Sequence, residues 1–153
     1  MKVSKKESGN KGMRPNTGYY AREINEIVQN TEKMGERLHP SYEEIRTALD
    51  EKTITEFDQE HLSEIHELFK EGTQFYELNL EKISMLKPPA KVIGNHKKFE
   101  RAFIQYVEGC QEMTDSLLPE VNEEAFNAAE KKQDEATDKI YKTIQKITNL
   151  LLK

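Results

Sequence analysis

The sequence predicts an all-α protein, an antiparallel up-down-up-down four-helix bundle, on three observations. Apolar residues recur at alternating spacings of four and three through four long stretches, the coiled-coil period that keeps one stripe of a helix on a core. The five prolines, at 15, 40, 88, 89 and 119, fall outside those stretches. They mark helix boundaries, because proline lacks an amide donor and crowds the preceding turn. Hydrophobic residues make up only 35% of the chain and charged residues 33%, so the core must be thin, as in a bundle whose helices each give one stripe to the interior. At 153 residues one domain is expected.

Residues 1–17 carry Lys2, Lys5, Lys6, Lys11 and Arg14 against Glu7, with Gly9 and Gly12 and almost no apolar content. They are expected to form a flexible basic tail, leaving 18–153 as the helical domain. The first helix should start near Thr17 or Gly18 and run on Tyr20, Ile24, Ile27, Thr31, Met34 and Leu38. Pro40 should kink or break this arm. Ser41 and Glu44 have the spacing of a capping box for its continuation through Tyr42, Ile45 and Leu49. A second helix is expected from near Thr55, with Asp58 in its first turn, on Leu62, Ile65, Phe69, Gly72, Tyr76, Ile83 and Leu86. Gly72 costs about 1 kcal/mol of helicity relative to alanine, and its place on the stripe points to close approach by a neighbouring helix.

The third helix carries an unbroken stripe of Val92, His96, Phe99, Phe103, Tyr106, Cys110, Met113 and Leu117. Asn122 should cap the fourth, whose stripe is Phe126, Ala129, Gln133, Ala136, Ile140, Ile144 beside Thr143, Ile147 and Leu151. Each of the last three spans roughly 30 residues, about 45 Å, and short links between helices of similar length favour antiparallel neighbours. The apolar end at Leu150, Leu151 and Leu152 should tuck against the bundle.

Up-down topology turns the charge order along the chain into a bipolar molecule. Residues 1–34, 72–104 and 137–153 share one end at +3 each, giving +9; residues 35–71 and 105–136 share the other at −7 each, giving −14. Most of these charges solvate helix surfaces, but segregation on this scale can steer a charged partner. The net charge of −5 and the lack of aromatics interleaved with the lysines argue against specific nucleic-acid binding.

The inventory favours a non-catalytic role. Glu36 to His39 and Asp58 to His61 are the nearest approaches to a di-metal helix motif, and neither brings interior glutamates with it. His61 and His66 are five apart, not the four of a helical zinc pair. Phosphate loops, nucleophile elbows and zinc ribbons are absent. No metal or cofactor is expected. The single cysteine, Cys110, cannot form an intramolecular disulfide, and it reads as a small buried hydrophobe. His96 reads as a packed seam histidine, with a pH-sensitive element as the sharper alternative. With neither a signal peptide nor a membrane span visible, the expected location is cytoplasmic, and non-classical export is the minority alternative.

The leading functional reading is therefore a protein-interaction module, an adaptor or accessory protein. Leu78 and Met85 lie off the main stripe of the second helix and are interaction candidates, together with Lys91, Lys97, Lys98 and Arg101. A homodimer would be one way to complete the core. The competing class is a small-ligand-binding or hydrolytic bundle, favoured by an interior pocket lined by Tyr76, His96 and Tyr106. Tyr19 and Glu23 also have the Tyr-x-x-x-Asp/Glu spacing of the type VII export element. In this the chain loosely resembles the small helical partners of that secretion system, although the pair stands at the start of a helix and the Trp-x-Gly turn is missing. The resemblance implies a partner or cargo-accessory protein of a bacterial type VII-like system.

Overall fold

The computed structural model describes residues 16–153, which form four helices. These are α1 (Thr17–Asp50), α2 (Gln59–Met85), α3 (Ile93–Asp115) and α4 (Glu123–Leu151), with single 3-10 turns at Ile54–Glu56 and Ala90–Val92. Asn16, Asp58 and Asn122 cap α1, α2 and α4 by accepting from the amides of Tyr19, His61 and Ala125. Each satisfies an amide that the first turn leaves without a partner. Asp58 is thus the cap of α2 and not part of its first turn, so the helix starts later than expected from Thr55. The basic tail falls outside the described residues except for Asn16 and Thr17, which instead cap and begin α1.

Pro40 does not break the first arm: α1 continues through it to Asp50. The Ser41–Glu44 capping box consequently does not form, since both residues lie inside a helix. Proline at this point forfeits one backbone hydrogen bond and costs about 3 kcal/mol or more. Contacts on both sides hold the helix together. Leu38 packs on Gly72, Tyr42 stacks on Phe126 with ring centroids 5.9 Å apart, and Ile45 and Leu49 are buried.

Two apolar clusters establish the topology. One gathers Tyr20 and Ile24 from the start of α1, Ile83 from the end of α2, Val92 and Phe99 from the start of α3, and Ile147 from the end of α4. The other gathers Ile45 and Leu49, Leu62 and Ile65, Met113 and Leu117, and Phe126 and Ala129. The helices therefore run up-down-up-down. Leu150 and Leu151 pack against the first cluster, while Leu152 is exposed. On the described residues the charge order gives one acidic end of −14. The opposite end carries −1 from residues 16–34 and +3 from each of 72–104 and 137–153, or +5.

The helices do not share their interfaces equally: α3 and α4 pack most extensively, and α1 meets α4 least. Gly109 explains the first. A Cβ there would stand 2.8 Å from Gln133 Cγ and 3.2 Å from Gln133 N, so α4 approaches to backbone contact. At Gly72 the close neighbour is the Leu38 side chain, 2.7 Å from where a Cβ would sit. Between Ile27 and Ile45 no residue of α1 is fully buried, and the bundle opens along that stretch.

Candidate functional site

The opening lies where the two apolar clusters meet. A cleft of about 280 Å³ runs between α1 and α3/α4, lined by Gly35, Leu38, His39 and Tyr42 of α1, Phe69, Thr73 and Tyr76 of α2, Tyr106, Cys110, Met113 and Thr114 of α3, and Glu130, Gln133 and Asp134 of α4. A second groove of about 470 Å³ continues along α1 past Val28, Thr31, Phe103 and Tyr141, sharing Gly35 and Tyr106 with the first. α1 is fastened to its neighbours on either side of Gly35. On the acidic side, Arg46 Nη1 donates to Glu130 at 2.8 Å and to Asn127 at 2.9 Å, and its guanidinium lies 5.4 Å from the Phe126 ring centre. On the other side, the Tyr20 hydroxyl meets His96 Nδ1 at 2.8 Å, and the Tyr141 hydroxyl donates to Glu32 at 2.9 Å.

The cleft floor is a belt of polar groups within an otherwise apolar seam. Thr73 and Thr114 face each other across α2 and α3 at 3.4 Å, and Gln133 Nε2 donates to the Gly109 carbonyl at 3.0 Å. Tyr76 meets Tyr106 edge to face, ring centroids 5.0 Å apart. Tyr76 is 1% exposed, and its hydroxyl makes no hydrogen bond of good geometry, although the Tyr106 hydroxyl stands close enough to oppose the effect of burial on it. A buried hydroxyl left unpaired costs on the order of 1–3 kcal/mol. Burial pushes Tyr76 up to about 12, and also pushes up the Cys110 thiol, to about 12, and the Tyr106 hydroxyl. All three groups are neutral at pH 7, so Cys110 is held as the poorly nucleophilic thiol. At the rim, burial and the Glu130 charge raise Asp134 above the usual carboxylate range.

His96 lies apart from Tyr76 and Tyr106, so the pocket expected from all three forms around the two tyrosines alone. Its Nε2 is 3.1 Å from the Ile83 carbonyl. A carbonyl only accepts, which puts the proton on Nε2 and leaves Nδ1 to accept from the Tyr20 hydroxyl. The neutral ring is fully satisfied, and burial lowers its pKa despite opposing contributions from the Ile83 carbonyl and Glu100. His61 is the converse case: Glu44 at 2.8 Å and Glu64 at 3.2 Å face its two nitrogens, and they raise its pKa. Among the described residues, no three His, Cys, Asp or Glu side chains are grouped to hold a metal ion.

The remaining candidates gather near the basic end. Leu78 is 58% and Met85 74% exposed on the outer face of α2, and α1 covers neither. Lys91, Lys97, Lys98 and Arg101 are exposed and form no ion pair among the described residues. Tyr19 is exposed in the first turn of α1, and Glu23 is half-buried one turn on.

Gly35, Glu130 and Asp134 were not among the residues singled out from the sequence. Gly35 had a signal, a glycine inside a strong helical period, and the polar residues Thr31 and Gln133 on apolar stripes hinted at an uneven core. No helix among the described residues is long and apolar enough to cross a membrane. Comparison with known protein families, curated proteins and solved structures found no match in any of the three.

Proposed function

We propose that the protein is a non-catalytic helical interaction module that docks an acidic surface of another protein on the basic end of its bundle. The observation that carries this reading is the set Lys91, Lys97, Lys98 and Arg101, exposed and without ion-pair partners among the described residues, on the half of the bundle where Met85 and Leu78 also face solvent. Cations not neutralised by neighbours keep their long-range field and speed encounter with an opposite charge. Exposed apolar side chains supply the desolvated contacts that hold a complex once it forms. The acidic opposite end disfavours a polyanion as partner, because a long phosphate backbone reaching it would be repelled.

The test compares affinity capture from the native host by the wild type and by a Lys97→Glu, Lys98→Glu, Arg101→Glu variant. The wild type should recover one partner in stoichiometric amount, released as salt rises, and the variant should recover none. Equal recovery by both proteins would reject the reading.

A further inference from the structure

The geometry points to the waist cleft between α1 and α4 as a binding site for a small organic cation, an amine carried on an aromatic or alkyl body. This site is independent of the basic end, which lies on other residues.

Three features support it. First, the space is held open by design of the chain: Gly35 contributes no side chain, and a Cβ there would meet only the Tyr76 hydroxyl, at 3.8 Å. Second, that hydroxyl belongs to a residue of the cleft lining, stands next to Gly35, and is buried without a hydrogen bond of good geometry. A polar atom of a ligand entering here would complete a hydrogen bond that the protein itself leaves unmade, so binding recovers a cost already present. Third, the walls and rim match an amine. Tyr106, half-buried in the lining, presents aromatic surface, which attracts an ammonium through the negative face of the ring. The rim carries Glu130 and Asp134. Arg46 neutralises Glu130, while Asp134 has no cationic partner among the described residues and supplies the uncompensated charge. An anionic ligand would meet that charge with no lysine or arginine in the lining to answer it.

The experiment titrates 2-phenylethylamine, its neutral analogue 2-phenylethanol and the anion 3-phenylpropionate into the full-length protein, followed by amide chemical shifts. The amine should bind about tenfold more tightly than the alcohol, the anion should not bind, and the shifts should centre on Gly35, Tyr106 and Asp134. Asp134→Asn, an exposed change that leaves the core intact, should reduce the amine to the affinity of the alcohol. Gly35→Leu should fill the cleft and abolish binding of both while the protein stays folded. Lys97→Glu, Lys98→Glu, Arg101→Glu should bind the amine as the wild type does, which separates this site from the protein-docking end. Absence of amine binding, equal affinity for amine and alcohol, or a preference that survives Asp134→Asn would each overturn the inference.

Discussion

Gly35 and Gly109 both sit inside helices and face opposite surroundings. At Gly109 an added methyl meets the backbone nitrogen of Gln133 at 3.2 Å and the Ala129 carbonyl at 3.4 Å, and backbone cannot rotate away. Overpacking of this kind costs roughly 1–3 kcal/mol, more than the ~1 kcal/mol that alanine gains over glycine in a helix. At Gly35 the methyl enters the cleft with only an ordinary contact, so the helical gain stands alone. Urea denaturation should therefore show Gly109→Ala destabilised by about 1 kcal/mol and Gly35→Ala stabilised by about 0.5–1 kcal/mol; shifts of the same sign would refute the packing assignment. His96 carries the pH dependence of the same interior. Its folded-state pKa lies below the unfolded 6.5, so its stabilisation is complete above about pH 6.5 and is lost as pH falls toward the folded value, where only the unfolded chain takes up the proton. His61, with a raised pKa, works in reverse: its contribution is full below the unfolded value and lost as pH rises through the folded one. Between pH 7.5 and 5.5, His96→Gln should remove an acid-sensitive component from the thermal stability profile. Profiles parallel to the wild type would exclude that role.

Among the helices, α1 is the one whose position depends on fasteners more than on continuous burial. Its middle is half-buried, and its C-terminal half is joined to α4 by Arg46, which bridges Glu130, Asn127 and Asp50 while covering Phe126. Charge-assisted hydrogen bonds at a partly covered site are worth about 1.5–3 kcal/mol. Arg46→Ala should lower stability by about that amount and raise amide exchange in α1 from Glu36 to Asp50 more than in α3. Uniform loss across the bundle would show that Arg46 does not act as a local fastener. Much of this helix was legible in its residues: the start near Thr17 and the stripe from Tyr20 to Leu38 follow from spacing. Which of a kink and a break Pro40 would impose was not. Proline disfavours a helix interior by local chemistry alone, and only packing of Leu38, Tyr42 and Ile45 against other helices outweighs it.

At the scale of the whole bundle, the separation of charge arises from helix order, since no single helix is polarised enough to produce it alone. Surface charges contribute about 0–1 kcal/mol each to stability. Lys97→Glu, Lys98→Glu, Arg101→Glu should accordingly change unfolding free energy by no more than about 3 kcal/mol in total while eliminating partner capture. A large loss of stability would mean that those cations serve the fold.

The sequence by itself determined the four helices, the cap at Asn122, and the polarity of the two ends. Each of these rests on local periodicity, local capping chemistry, or charge order under short connections. Tertiary structure alone decided where the core would fail to close. The cleft depends on Gly35, Tyr76, Tyr106 and Asp134 meeting from four helices, at the level where α1 stands off from α4 and one buried hydroxyl is left without a hydrogen bond of good geometry. Spacing within a helix says which face a residue takes. How near the next helix comes depends on the side chains of both, as Gly109 against Gln133 and Gly72 against Leu38 show.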